Sequence, residues 1–314
     1  MQKLVVIRNA AAGSADSAAG TAALDVLAAE TDVVIATLDS PAEIAGVLAE
    51  HRDREPVVLG GDGSLHALVA ALRDRGELAD RPVGLIPLGT GNDFARTLGI
   101  PLDPEAAARV VLRRHRRTLD LLHDSRGGIV VNAAHLGVGA EASRRAAPLK
   151  PWLRRFAYTA GSVVAGLRTP GWHLRVRVDD ETVADGERRV LMVGIGTGAT
   201  IGGGTPLLPD AEPDDGTVHV MVSFATGPLS RLAYAKHLRD GSHPARRDVV
   251  HRQGATVTVD GDPVPVNADG ELDGPYSHHE WRLHARAWRI TVPPPDRSGG
   301  RTPGGRPDGT ADTS

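Results

Sequence analysis

Two glycine turns and two acidic turns hold the side chains of this chain most able to do chemistry. Val57-Val58-Leu59-Gly60-Gly61-Asp62-Gly63-Ser64 reads as a buried strand, a glycine turn and the start of a helix. Glycine lets a backbone approach a ligand closely, and the free N–H groups of a helix start favour an anion. Asp62 in such a turn would repel a phosphate by itself, which points to a bridging Mg2+. A plain strand-to-helix turn, with Asp62 or Ser64 as cap, accounts for the same residues equally well. A second turn, Pro87-Leu88-Gly89-Thr90-Gly91-Asn92-Asp93-Phe94-Ala95-Arg96, also follows a buried strand. Two such turns at successive strand ends fit the rule that ligands bind outside the carboxyl ends of an open parallel sheet. Of the acidic turns, Asp214-Asp215-Gly216 precedes a strand pattern, and Asp269-Gly270-Glu271 stands in a glycine-flanked turn with Asp273. Each taken alone reads as a simple exposed turn.

The elements that must position these turns change character along the chain. Up to residue 120, short apolar runs alternate with helical patterns. Strands are expected at Leu4–Ile7, Val33–Leu38, Val57–Leu59 and Val83–Ile86. Ser40-Pro41-Ala42-Glu43 is a helix start with Ser as cap, Pro at the first position and Glu completing the capping box. Leu65, Leu68, Val69 and Leu72 form one helical face, and Asp103-Pro104 opens a further helix. Alternating strands and helices predict a parallel α/β domain over 1–120. Beyond it, Ile129–Asn132, Leu174–Val178, Val190–Ile195, Val218–Val222, Thr256–Val259 and Trp288–Val292 read as strands, with helices at Trp152–Leu167 and Leu229–Leu238. That is the pattern of a mostly antiparallel β domain over 121–292. Residues 293–314 hold five Pro and five Gly and few apolar residues, so a disordered tail is expected.

Composition narrows the function. The chain has 314 residues, 36 Lys+Arg against 39 Asp+Glu, and a net charge of −3. This balance argues against a strongly basic nucleic-acid binder. There is no Cys, which excludes a disulfide scaffold, a cysteine zinc site and thiol catalysis. No Gly-x-x-x-x-Gly-Lys-Ser/Thr occurs, so there is no P-loop. No signal-peptide pattern and no long apolar run is present, so a cytoplasmic protein is expected, with any membrane contact peripheral. Arg144, Arg145, Lys150, Arg154 and Arg155, interleaved with Trp152, Leu153 and Phe156, would suit an anionic membrane surface. A solvated helix face accounts for the same run.

The two glycine turns together resemble the diacylglycerol kinase catalytic-domain family, which includes bacterial diacylglycerol kinases and the sphingosine and ceramide kinases. The glycine–aspartate turn alone is shared with NAD kinases and phosphofructokinases, whereas Pro87–Ala95 is more specific to the lipid kinases. The likeness extends to Arg8-Asn9-Ala10-Ala11-Ala12-Gly13-Ser14, to Gly137-Val138-Gly139-Ala140-Glu141-Ala142, to Pro209–Gly216 and to Asp269-Gly270-Glu271. It implies an α/β domain and a β-sandwich with the nucleotide between them, and Mg2+-dependent phosphate transfer from ATP to a lipid hydroxyl. By matching position, it implies that ATP meets Thr37, Gly60, Gly61, Asp62, Gly63, Ser64, Leu65, His66, Ala67, Gly89, Thr90, Gly91, Asn92 and Asp93. Asp215, with the backbone carbonyls of Glu212 and Thr217, would hold a structural magnesium, and Glu271 would be the general base, with Asp62 as the second essential acid. The chain departs from the family pattern at Ala10, usually Pro, at Ser64, usually Thr, and at Leu65-His66-Ala67, where Asn and Glu are usual.

The reading is an ATP-dependent lipid kinase, with diacylglycerol as the first choice of substrate and phosphatidic acid as product. A kinase of another lipid alcohol, such as a sphingoid base or a glycolipid, and a catalytically silent nucleotide- or lipid-binding regulator are the alternatives. The expected partners are the lipid and an anionic membrane surface, with no nucleic acid; the sequence also admits a homodimer.

Overall fold

The computed structural model describes residues 2–10, 18–141 and 170–295. The helix expected at Trp152–Leu167, the basic run 144–155, Ala142 and all but the first residues of the tail lie outside them, as do Ala11–Ser14.

The first body is a four-stranded parallel sheet in the order β2-β1-β3-β4. Its strands are β1 (Lys3–Asn9), β2 (Asp32–Leu38), β3 (Glu55–Gly60) and β4 (Gly84–Pro87). Leu4, Val5, Val6, Val57, Val58 and Leu59 are all buried. Continuous apolar runs of this kind are what a strand covered on both faces requires. The covering helices are α1 (Ala18–Glu30), α2 (Ile44–Glu50), α3 (Asp62–Asp74), α4 (Asp93–Thr97) and α5 (Pro104–Arg113), with α1 packed on α5 and α2 on α3. The helix start at Ser40 differs slightly from expectation. Ala42 N–H donates to Ser40 Oγ and Ser40 N–H to Glu43 Oε1, as a capping box demands. The turn it caps is a 3-10 turn over Pro41–Glu43, which then runs into α2.

The second body is an antiparallel β-sandwich built from a ten-stranded sheet. Its strands are β5 (Arg116–Asp124), β6 (Ile129–Val130), β7 (Ala133–Gly137), β8 (Trp172–Val178), β9 (Glu181–Val190), β10 (Met192–Gly196), β13 (Val218–Ser223), β14 (Val249–Gly254), β15 (Thr256–Ala268) and β16 (Glu271–Thr291). A small hairpin, β11 (Thr200–Ile201) and β12 (Thr205–Pro206), and one long helix, α6 (Pro228–Arg239), complete it. Strand β15 pairs β16 along its length, but on its other edge it takes β8 first and β7 last. Register shifts between Asp260 and Val266 let it serve both layers.

Several strands carry no clear pattern in the sequence. β7 is Ala133-Ala134-His135-Leu136-Gly137, buried throughout yet made of small residues. Among the described residues β9 is an edge strand that pairs only β8, and it is mostly polar. The first half of β16 is polar and largely exposed.

The two bodies share apolar surface. Residue 120 lies inside β5, and Leu119, Leu121, Trp288, Ile290 and Val292 pack into the same core as the parallel sheet. Val83 and Ile290 form a bridge, with Val83 N–H donating to Arg289 O and Thr291 N–H to Val83 O. Phe94 stacks on Trp288 at 5.9 Å between ring centroids. The end of β16 thereby fixes the second glycine turn against the sandwich.

Candidate functional site

The two glycine turns meet at the carboxyl ends of β3 and β4. Leu88 N–H donates to Gly60 O, continuing the strand pairing into the turns. A Cβ on Gly61 would stand 2.9 Å from Gly89 Cα, and one on Gly89 only 2.6 Å from Gly61 Cα. Glycine is required at both because backbone packs on backbone there. Asn92 then closes the second turn on itself. Its Oδ1 accepts from Gly89 N–H at 3.0 Å and its Nδ2 donates to Gly89 O at 2.8 Å. This holds Asn92 in a left-handed conformation, φ 51°, which Asn tolerates better than most residues.

Asp62 binds the turns together. It is the first residue of α3, and its two oxygens accept from Asp93 N–H and Phe94 N–H, each at 3.0 Å. Those N–H groups belong to the first turn of α4, so the carboxylate caps that helix from another element. Burial raises the Asp62 pKa, the two hydrogen bonds oppose that, and the charges of Asp93 and Asp269 add to the rise. Each oxygen of Asp62 thus has one backbone partner, which leaves about half of the carboxylate's acceptor positions for the Mg2+ the sequence suggests.

Asp93 performs the same task toward the sandwich. Its carboxylate accepts from Gly203 N–H at 2.9 Å and Gly204 N–H at 2.7 Å, in the loop that joins β11 to β12. The sequence reading passed over this loop. The run Gly202-Gly203-Gly204, all with positive φ, was the available signal.

A third tie crosses from α3 to the Asp-Gly-Glu turn. Asp269 and Gly270 are the two central residues of the β15–β16 hairpin, with φ 49° and 94°. Two positive φ values are what a tight two-residue hairpin turn of the primed type needs. The Asp269 side chain is 2% exposed and accepts from Val131, Asn132 and Ala133 N–H and from His66 Nδ1. Its neighbour Glu271 is exposed, at the start of β16.

The other expected contacts divide by burial. Gly63 and Thr90 are exposed at the turns, and Ser64 lies under Gly60 with its Oγ 2.7 Å from where a Cβ on Gly60 would stand. Leu65 is 1% exposed and belongs to the core, and Ala67 packs against it. Thr37 lies two strands from β3, and its Oγ1 accepts from Arg8 Nε at 2.8 Å. An open groove lined by Arg73, Leu78, His123, His284 and Ala287 sits at the far end of α3 and contains none of the motif residues.

The expected magnesium loop is also engaged with the protein. Asp215 Oδ1 accepts from Thr217 N–H and Oγ1–H, and Oδ2 lies 2.7 Å from His219 Nε2. Asp214 pairs with Arg117, and Gly216 N–H donates to Asp120. An ionised carboxylate has about four acceptor positions, and three are taken at Asp215. Oxygen donors suit a hard cation; the expected set draws on one carboxylate and two backbone carbonyls, and among the described residues no group of three metal-binding side chains occurs. We expect Asp215→Ala to lower stability by about 1–3 kcal/mol, because buried His219 loses its partner. That is a fall in Tm of roughly 2–6 °C, read by thermal melts with and without chelator. A wild-type melt that drops on chelation and an Asp215→Ala melt that does not would place a bound ion at Asp215.

Comparison with known proteins agrees with the two-body fold. Residues 3–123 match the diacylglycerol kinase catalytic domain, and residues 132–290 match the YegS C-terminal NAD kinase beta sandwich-like domain. A protein of Chromohalobacter salexigens named "Probable lipid kinase YegS-like" is 30% identical over 248 residues, covering 76% of this chain and 75% of its own. A diacylglycerol kinase of Staphylococcus carnosus is 28% identical, over 69% of this chain and 70% of its own. In fold, the chain is similar to the crystal structure of a diacylglycerol kinase from Bacillus anthracis, with a TM-score of 0.73 at 22% identity, over 93% of this chain and 98% of that one.

Proposed function

The chain belongs to the diacylglycerol kinase catalytic-domain family, and we propose that it transfers the γ-phosphate of ATP to a lipid hydroxyl, diacylglycerol first among candidates. Use of ATP follows from membership in a kinase family. The choice of lipid is our reading, and it draws support from the name of the Staphylococcus carnosus relative.

One observation carries the proposal. Two glycine turns, locked back to back by Asp62, share helix α3 with His66, which ties the helix to the turn that carries the exposed carboxylate of Glu271. Phosphoryl transfer asks the protein mainly to position the phosphates and to accept a proton. The backbone around Gly63, Thr90 and Gly91 would receive the nucleotide phosphates. Glu271 would take the proton from the lipid hydroxyl as that oxygen bonds to the γ-phosphorus and the bond to the β-phosphate oxygen breaks. Magnesium, when bound with the nucleotide, supplies neutralising charge to the transferred group.

Among the described residues no helix is long and apolar enough to cross a membrane. The substrate would be reached by contact with an anionic membrane surface, and the basic run 144–155 is the proposed contact.

The test is labelled ATP with diacylglycerol, a sphingoid base and a glycolipid, each in mixed micelles, with the products separated. Labelled phosphatidic acid is expected. Label confined to another lipid moves the substrate within the family. ATP binding with no lipid labelled would overturn the reading in favour of a silent regulator.

A further inference from the structure

His66 stands in the stretch where the family pattern usually has Asn and Glu, and the structure gives it a definite task. It lies on α3 one helical turn beyond Asp62, on the same face. Its Nδ1 is 2.8 Å from Asp269 Oδ2. An ionised carboxylate only accepts, so Nδ1 carries the hydrogen. Asp269 is immobilised from the other side by the three backbone N–H groups of residues 131–133. The two-residue turn leaves no slack between Asp269 and Glu271. A side chain of the nucleotide-bearing body thus grips the turn that carries the proposed base.

The charge on the ring matters to this grip. Burial works against protonation, but the hydrogen bond and charge of Asp269, then the charge of Glu271, outweigh it, with Arg73 on the same helix opposing. The net effect raises the pKa above the ordinary histidine value. A charge-assisted hydrogen bond is roughly twice as strong as a neutral one. For a base with a raised pKa, the extra interaction is present at low pH and fades as pH climbs through its titration.

We infer that His66 is a positioning residue for phosphoryl transfer: as an imidazolium it clasps Asp269 and so sets where Glu271 stands relative to the glycine turns, making turnover fall as His66 loses its proton. This rests on the reading of Glu271 as the base. It adds a pH-responsive element that this chain's own sequence introduces.

Two measurements test it. The first is independent of activity: the His66 ring is titrated by NMR in wild type, Asp269→Asn and Glu271→Gln. Coupling between titrating sites is reciprocal, so His66 should titrate lower in both variants than in wild type. A His66 titration unmoved by both changes would overturn the clasp, whatever the enzyme acts on. The second is the pH profile of kcat on the phosphorylated lipid. Wild type should show an alkaline fall that His66→Asn and His66→Gln lack. At neutral pH, the variants should lose about tenfold in kcat, since small misplacements of a reacting group cost this order or more, with KM for ATP little changed. An alkaline fall retained in both variants, or a loss confined to Tm and KM, would leave His66 a merely structural residue and refute the inference. If wild type phosphorylates no lipid, the proposed function fails, and the NMR titration still decides the clasp.

Discussion

Glu271→Gln is expected to lower lipid phosphorylation by about 100- to 10,000-fold, the usual cost of removing a general base, with Tm and ATP affinity nearly unchanged. The carboxylate is exposed and sits at the mouth of a hairpin whose conformation is set by Asp269 and Gly270, not by its own side chain. Exposed substitutions of this kind usually move stability by no more than about 0.5 kcal/mol. Glutamine keeps the size and a hydrogen-bonding oxygen but cannot hold a proton taken from an alcohol. The measurement is single-turnover transfer beside equilibrium ATP binding and a thermal melt. Retention of more than about a tenth of wild-type transfer would remove Glu271 from the role.

Asp62→Ala is expected to damage both stability and nucleotide binding, which separates its role from that of Glu271. The substitution strips the acceptors from Asp93 N–H and Phe94 N–H at once. Leaving two largely buried donors unpaired costs about 2–6 kcal/mol in sum, or a fall in Tm of roughly 5–12 °C for a chain of this size. The second glycine turn then loses its fixed seat on the first, and ATP affinity should fall by about tenfold or more. Asp62→Asn should lie between, since its amide keeps one acceptor and sets its NH2 against the other N–H. If Asp62 served instead as a magnesium bridge, both variants would lose activity at unchanged Tm. Melts of the apoprotein beside ATP titrations tell the two apart.

These predictions also mark how far the sequence is readable. The parallel strands and both glycine turns were visible because their signals are local: apolar runs of three to six residues, Gly at the strand end, Ser or Asp with Pro at a helix start. Gly61 and Gly89 were legible as glycines but not for their reason. Each is a glycine because of the other, 28 positions away. β7, β9 and the first half of β16 were not legible, since small or polar residues become strands there only through pairing with neighbours.

By itself, the sequence determined the fold class, the order of the two bodies, the two glycine turns and the candidate base, because each is written in contiguous residues. Only the tertiary structure decided what the acids do. Asp62, Asp93, Asp215 and Asp269 look alike as turn acids in a string of letters, and each takes its function from backbone N–H groups and rings supplied by distant segments. His66 looked like a departure from the family pattern, and became a partner of Asp269 across 203 positions of chain. A carboxylate's role depends on which donors surround it and how much water they displace, and those neighbours exist only once the chain has folded.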